Sequence, residues 1–598
     1  MCGIVGFNWE DKVLIKKMSD SIKHRGPDGY GYYTDKNVSL GHRRLSIIDL
    51  SKNGKQPMSN EEGNIWITFN GEIYNYKELR KELEIKYKFK SNSDTEVIIH
   101  AYEEYGDFFL NKLKGMFALA IWDTKKKRIL MARDHLGIKP LYYYWNENNL
   151  IFASEIKAIL INKIKRELNN EALNEILQNR FISSDITPFN KIKKLLPGHY
   201  CIIEKEKLTI NKFWDIENKG KLDLKETGYI KKLKELLVSS VKDHMIADVE
   251  VGSFLSGGID SSLITAIAQK EINKSNKSIK TFNVYFDNFS EKEFSTKVAN
   301  HINSKHFDIS IDENMAIKAL SKIIKTYDEP LIDPATIPTY LISKYAKKKV
   351  KVVLAGEGSD ELFGGYEYYK RINAIRNKII PLRPVLNIIS SFPVKIKQNK
   401  LNKLINLNKE FHNSTGFYNQ LTSTFNKEEI EQITNNRITL TKNNYDKFEN
   451  FIDKLLYIDT KTLLPEYFLM KADKMTMAQS IEERVPYIYP KIAEYAFQLP
   501  IKMKINNKEE KYIIKQVAKE YLPEEIIKRK KQGYGVPINN WMQNGQIGNL
   551  IENHFEKNKT IINKEYLKKV IKNYKNSDHY KDQLWTLYNI SKWHEEMF

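Results

Sequence analysis

Cysteine is nearly missing from this chain: 598 residues contain two, Cys2 and Cys201. Two thiols cannot build the disulfide framework of a small secreted scaffold, so a reducing compartment, the cytoplasm, is expected. Residues 1–10 also lack the cationic start and the apolar stretch leading to small residues that a secretory signal requires. A long hydrophobic run is absent too. The nearest stretch, 379–396, is interrupted by Arg383, Lys395 and three prolines (Pro381, Pro384, Pro393), so no membrane span is expected. No internal repeat is evident.

What is present describes a globular chain. Hydrophobic residues make up 41% and charged residues 29%, enough to bury large cores. At roughly 100–200 residues per domain, three or four packing units are expected. Lys and Arg number 96 against 75 Asp and Glu, a net charge of +21. The lysines are scattered among Asn and Ile along the whole chain, which reads as a solvated surface. No nucleic-acid partner is expected on charge alone.

The first two hundred residues read as short strands, at 65–69, 117–122, 128–132 and 150–153, with helical spacing at 77–83 and 95–105. This pattern predicts an α+β unit with stacked sheets, ending near Pro197-Gly198. A polar stretch of little periodicity, 206–226, is read as the linker, which carries the boundary to about residue 230. Beyond it strands at 249–255, 281–286 and 350–354 alternate with helices at 262–272 and 316–327, predicting a parallel sheet with crossover helices. Residues from about 371 to 460 read as a helical insertion, and residues 548–598 as a helical extension of unassigned role.

Cys2 directly follows the initiator Met. Removal of Met1 would leave a thiol and a free α-amine on one residue, with unperturbed pKa values of about 8.5 and about 8. Each can serve as base for the other, the amino-terminal form of nucleophile activation. A buried cysteine that happens to stand second is the plain alternative. Acyl transfer to a thiolate develops an oxyanion, and Asn70-Gly71-Glu72, read as a tight turn after a strand, offers a side-chain amide and an unhindered backbone N–H. Arg44 could meet the carboxylate of an amino-acid substrate and Asp94 its amine. Taken singly, each also reads as turn chemistry, a helix cap or a surface charge.

Six motifs occur in order: Met1-Cys2-Gly3-Ile4-Val5-Gly6-Phe7, His24-Arg25-Gly26-Pro27-Asp28, Arg44-Leu45-Ser46-Ile47, Asn70-Gly71-Glu72-Ile73-Tyr74-Asn75, Ser93-Asp94-Thr95-Glu96 and Arg133-Asp134-His135-Leu136-Gly137. Together they resemble the glutaminase domain of the cysteine-type N-terminal-nucleophile amidotransferases. The resemblance implies an αββα sandwich over 2–205 that hydrolyses glutamine to glutamate and ammonia. It makes Cys2 the nucleophile and Asn70 with Gly71 the oxyanion hole, and gives Arg44, Glu72 and Asp94 the glutamine.

Ser256-Gly257-Gly258-Ile259-Asp260-Ser261-Ser262 lies between a predicted strand and helix. Two glycines permit close backbone approach, a helix start offers unpaired N–H groups to an anion, and Asp260 can hold a cation. No Lys follows the glycines, which excludes the P-loop of kinases. A second loop, Ala355-Gly356-Glu357-Gly358-Ser359-Asp360-Glu361, follows the strand at 350–354, where an open α/β sheet binds ligands. Asp260 and Asp360 are the expected magnesium carboxylates. Glu357 is read as a proton acceptor or orienting group.

The first loop resembles the signature of ATP pyrophosphatases, α/β parallel-sheet enzymes. Joined to the glutaminase motifs it resembles the glutamine-hydrolysing asparagine synthetase family. Supporting stretches are Asp328-Glu329-Pro330, Ile337-Pro338-Thr339-Tyr340, Lys471-Ala472-Asp473-Lys474-Met475, Glu483-Arg484-Val485-Pro486 and Gly533-Tyr534-Gly535-Val536-Pro537. The resemblance implies a synthetase domain over 231–547 with glutamine, ATP and aspartate as substrates and Mg²⁺ as cofactor. It lines the nucleotide pocket with Leu255, Ser256, Gly257, Gly258, Asp260, Ser261, Val284, Ala355 and Gly356, and brings Lys511 to the α-phosphate. It allows a homodimer, although the sequence sets no oligomeric state. Two departures stand out: Ala355 replaces a common serine, and Asp333-Pro334-Ala335 replaces an Arg-containing segment near the acceptor. Amidation of another carboxylate, such as a uronic acid of a polysaccharide, therefore remains an alternative. A non-catalytic or RNA-binding protein on a retired scaffold is a further one, opposed by the intact motifs.

Overall fold

The computed structural model describes residues 2–286, 292–391, 399–438, 445–506, 509–530 and 535–598. Met1, residues 392–396 of the apolar stretch, and Gly533 and Tyr534 of the motif at 533–537 lie outside the described residues. Among the described residues no helix is long and apolar enough to cross a membrane.

Twelve strands occupy the amino-terminal part: β1 (Gly3–Phe7), β2 (Gly29–Asp35), β3 (Val38–Arg44), β4 (Met58–Ser59), β5 (Ile65–Ile73), β6 (Gly115–Asp123), β7 (Arg128–Arg133), β8 (Tyr142–Asn146), β9 (Asn149–Ala153), β10 (Ile192–Lys194), β11 (His199–Glu204) and β12 (Lys207–Lys212). They form two six-stranded sheets, ordered β10-β8-β9-β1-β3-β2 and β12-β11-β7-β6-β5-β4. Ladders within both are antiparallel. Strand alternation explains why β6 is apolar from Met116 to Trp122. Ala118, Ala120 and Trp122 share one core with Ile4, Leu40 and Phe152 of the other sheet. The intervening Phe117, Leu119 and Ile121 pack with Leu79, Val97 and Ile98 of the helices Tyr76–Leu83 and Asp94–Tyr105. A strand buried on both faces must read as a continuous apolar run.

Two expectations change. The linker read at 206–230 begins with β12, which pairs along its full length with β11; its charged residues sit on an exposed edge strand, which sequence polarity cannot distinguish from a loop. Asn70-Gly71-Glu72 is no turn but part of β5, opposite Ala118, Phe117 and Met116 of β6. Gly71 is needed for that approach, because a Cβ there would lie 2.0 Å from the Met116 carbonyl oxygen.

The second unit is built on five parallel strands, β13 (Val251–Phe254), β14 (Lys280–Tyr285), β15 (Lys305–Ser310), β16 (Val352–Leu354) and β17 (Glu482–Arg484), ordered β15-β14-β13-β16-β17. The insertion is helical, from Glu367–Ile379 to Phe451–Lys461. The carboxyl-terminal stretch is helical but is no appendage. From the helix Asp578–Met597, the Trp585 indole N–H donates to the Ile332 carbonyl (2.7 Å) and that of Trp593 to the Asp328 carbonyl (3.2 Å).

Strand β17 joins the two units. The Arg484 side chain is fully buried, with Nε 2.6 Å from Glu482 and Nη2 3.3 Å from Glu72 of β5. Its Nη1 donates to the carbonyls of His244 (2.8 Å) and Ile246 (2.7 Å). Removing one partner of a buried ion pair strands the other, at a cost of about 3–5 kcal/mol. Arg484→Met is therefore expected to lower the unfolding midpoint of the full chain in a denaturant or thermal titration. An unchanged midpoint would show that the contact is energetically idle.

Candidate active sites

The first site gathers around the start of β1. The Cys2 side chain is half-buried, and its backbone N–H donates to Asn70 Oδ1 at 2.9 Å. That contact turns the Asn70 amide so that its Nδ2, fully buried, has no hydrogen-bond partner. A buried N–H donor without an acceptor is costly in a finished core, and such a donor is what an oxyanion forming beside the Cys2 thiol would require. Desolvation pushes the Cys2 thiol up, against the pull of the amino-terminal charge, the Leu45 backbone and, least, the Arg44 guanidinium. A thiol raised in this way stays protonated unless a base stands beside it.

Arg44 is held by the carbonyls of Ser51 (2.8 Å), Ile48 (3.4 Å) and Asp49. Asp94 opens the helix Asp94–Tyr105, capped by Ser93, and accepts from the Ile73 N–H at 2.9 Å. Burial pushes the Asp94 carboxyl up to about 6. Glu72, on β5 beside Gly71, is also pushed well above the ordinary range by burial, against the pull of Arg484. The structure thus brings Cys2, Arg44, Asn70, Gly71, Glu72 and Asp94 into one neighbourhood, as the sequence predicts.

Arg25, in the His24-Arg25-Gly26-Pro27-Asp28 motif, has no role that the sequence predicts. Its fully buried guanidinium donates from Nε to the Cys2 carbonyl (3.1 Å), from Nη1 to Glu155 (3.0 Å), and from both terminal nitrogens to Asp473 (2.8 and 3.1 Å). Asp473 lies on the helix Met470–Met477 of the second unit. One side chain therefore clasps the Cys2 backbone to the second unit. Only a motif match without chemistry pointed to it.

The second site lies at the carboxyl ends of β13, β14 and β16. Gly257 adopts φ +74°, and a Cβ there would meet the Ser295 nitrogen at 2.6 Å. Ser256 Oγ accepts from the Gly258 N–H (3.3 Å) and lies 3.1 Å from Ser261 Oγ, so the loop is closed on itself by hydroxyls. The helix begins at Ile259, earlier than the expected residue 262, which places Asp260 and Ser261 in its first turn. A Cβ on Gly356 would lie 2.8 Å from the Ser261 nitrogen, so the two loops touch. Leu255, Val284 and Ala355 are buried around this junction.

Lys511, 4% exposed, is no surface helical lysine. It adopts φ +53° just before the helix Tyr512–Ala518, and its Nζ stands 2.5 Å from Asp260 Oδ2 and 2.6 Å from Asp360 Oδ1. Burial alone would lower its ammonium, but the two carboxylates reverse that and hold it protonated. Gly365 makes room, since a Cβ there would lie 2.1 Å from Lys511 Cε. Asp260 keeps its second oxygen, Oδ1, buried without a hydrogen-bond partner. Glu357 follows the second loop's glycine, and Lys471 reaches Asp333 at 3.0 Å, placing the altered 333–335 segment against this site.

With Asp94 raised to about 6, lower pH protonates it and removes the anion that would hold a substrate amine. Glutaminase kcat/KM for glutamine is expected to fall by about tenfold per pH unit below that value. In Asp94→Asn it should be low and should lose that step; an unshifted pH profile would exclude Asp94 from binding.

Comparison with known proteins gives the family. A glutamine amidotransferase domain matches residues 1–214, and an asparagine synthase domain matches residues 232–595. The chain is similar to "Asparagine synthetase [glutamine-hydrolyzing] 1" of Bacillus subtilis, with 36% identity over 99% of this chain and 96% of the relative. A putative asparagine synthetase of Methanocaldococcus jannaschii is 35% identical over 80% of this chain and 98% of its own. A solved glutamine phosphoribosylpyrophosphate amidotransferase of B. subtilis overlaps 47% of this chain and 65% of its own at 19% identity and a TM-score of 0.27, too distant to argue from. With two catalytic units matched in order and a relative aligned almost end to end, the chain belongs to the glutamine-hydrolysing asparagine synthetase family.

Proposed function

We propose that the protein makes asparagine from aspartate, using ATP for activation and glutamine as the source of nitrogen. The observation that carries this reading is Arg25, which holds the carbonyl of Cys2 with one nitrogen and Asp473 of the synthetase unit with others. A hydrolase working alone has no use for a nucleophile clasped to a nucleotide-binding domain. The unit over 2–205 is read as an αββα sandwich, supported by the shared core between its two sheets and the helices on their outer faces. Residues 231–547 carry the synthetase chemistry, with the carboxyl-terminal helices bracing it.

In the first half-reaction the Cys2 thiolate attacks the glutamine amide carbon. Asn70 Nδ2 and the Gly71 backbone meet the oxyanion, and Arg44, Glu72 and Asp94 hold the amino-acid end. The amide C–N bond breaks, ammonia leaves, and water releases glutamate from the thioester. In the second, a side-chain carboxylate oxygen of aspartate attacks the α-phosphorus of ATP and pyrophosphate departs. Adenylation is needed because ammonia does not displace a bare carboxylate oxygen. The glycine loop at 256–258 and the helix start present N–H groups to the phosphates.

Asp260 and Asp360 fit a divalent cation. The two carboxylates converge on the Lys511 ammonium, at 2.5 and 2.6 Å, and Asp260 keeps a second buried oxygen unpartnered beside the glycine loop, so a cation entering there would share them with the lysine. Among the described residues no cluster of three or more ligating side chains occurs, so phosphate oxygens and water would have to complete the shell of a cation held there. Bound there, it would offset the phosphate charge. Lys511 carries the compensating charge of the carboxylates and is placed to follow the phosphates as a mobile point cation.

Cys2→Ala is expected to abolish glutamine-dependent synthesis and to leave ammonia-dependent synthesis within about twofold of the parent, because the residue serves only the acyl-transfer half. The assay measures asparagine and AMP with and without aspartate. AMP formation indifferent to aspartate, or loss of both activities, would defeat the reading.

A further inference from the structure

Glu483 stands between Glu482 and Arg484 on β17. Strand alternation turns it away from the Arg484 face, toward the side of the second loop. It is 3% exposed, and neither carboxyl oxygen has a hydrogen-bond partner. The charged groups around it are Glu357 from the loop after β16, Lys471 from the helix Met470–Met477 and Lys139 from the glutaminase unit. Both cations are shared elsewhere, Lys471 with Asp333 (3.0 Å) and Lys139 with Asp473 (3.8 Å).

An ionised Glu483 would be a buried charge with no donor and a like charge beside it, an arrangement that proteins relieve by keeping a proton. One hydrogen resolves the whole cluster. If Glu483 stays protonated, its hydroxyl donates to Glu357, and the unpartnered oxygens become one carboxyl–carboxylate hydrogen bond. Burial first, and the Glu357 charge second, push the Glu483 carboxyl well above the ordinary range, in agreement.

We propose that Glu483 is a positioning residue for the amide-forming step: a neutral carboxylic acid that donates its hydrogen to Glu357 and aims that carboxylate at the incoming nitrogen. The proposal rests on the asparagine-synthesis reading above. In that step the ammonia lone pair forms the C–N bond at the acyl carbon. The C–O bond to AMP breaks, its electron pair leaving on the phosphate oxygen, and the nitrogen gives up one proton. Glu357 takes that proton, while Glu483 keeps its own throughout. Neutrality matters here because a second carboxylate would repel the departing AMP and leave Glu357 free to turn away.

The test uses the full chain with ammonia, ATP–Mg²⁺ and aspartate, reading asparagine and AMP, with glutaminase activity at Cys2 as a check on folding. Asparagine from the parent enzyme secures the underlying reaction; none would overturn that reading and this proposal with it. Glu483→Gln keeps a donor and is expected to hold kcat within about twofold at neutral pH, whereas Glu483→Ala should lose about tenfold or more. KM for ATP and aspartate should stay within about twofold in both, because only the amide-forming step is misaligned. The parent should lose kcat on the alkaline side as Glu483 ionises, and Glu483→Gln should shift that fall to higher pH. Rescue by Gln but not by Ala, with the pH shift, supports the assignment. A Gln variant as slow as the Ala variant, an Ala variant at parental kcat, or an unmoved alkaline limb would each overturn it. If Glu483→Ala fails the folding check, the Gln variant's rate and pH profile still decide.

Discussion

The buried guanidinium of Arg484 is the contact on which the rest of this molecule depends. It ties β17 to Glu72 in one unit and to the end of the helix Glu226–His244 in the other. Its own backbone carbonyl accepts from the Ala355 N–H at 2.9 Å, fixing where the second nucleotide loop begins. A planar fork with five donors can serve several acceptors at once without moving, which an ammonium cannot. Such a residue is expensive to bury; here Nε and Nη1 are met by Glu482 and two backbone carbonyls, while Nη2 faces Glu72 at 3.3 Å as an ion pair without a hydrogen bond.

Three residues on one short strand therefore address both reactions. Arg484 and Glu482 look toward the glutaminase and Glu483 toward Glu357, because successive strand side chains point to opposite faces. Arg25 repeats the device from the other direction, reaching from Cys2 to Asp473. Around these clasps lie further buried pairs, Lys474 with Asp328 (2.6 Å), and Lys194 and Arg133 with Glu466 (2.8 and 3.2 Å). Ionic contacts of this kind add little net stability but tolerate only one geometry. They suit an interface that must hold two active sites in fixed relation.

The two sites solve opposite electrostatic problems. Near Cys2 an uncharged donor, Asn70 Nδ2, is buried without an acceptor, and in the proposed reaction it would meet a negative charge that exists only transiently. At the nucleotide loops, carboxylates and a lysine already balance one another, and the polyphosphate must be accommodated by rearranging charge that is present. The +21 net charge has little share in either; the working cations are a few buried ones.

Much of this could be read from the sequence. The cysteine at position 2, the serine–glycine loop and the acidic loop are local patterns whose chemistry depends on residue type and short spacing, so they name their own function. The strands β6 and β13 are likewise visible in apolar runs. What remained hidden were properties created by distant segments. Asn70-Gly71-Glu72 reads as a turn until β6 pairs with it, and 207–212 reads as linker until β11 does. Lys511 resembles any helical lysine until Asp260, 251 residues away, takes its ammonium. The sequence by itself determined the family and which side chains are candidates for the chemistry. Only the tertiary structure decided their charge states and partners, because burial and the approach of residues hundreds of positions apart set the dielectric and the neighbours that fix them.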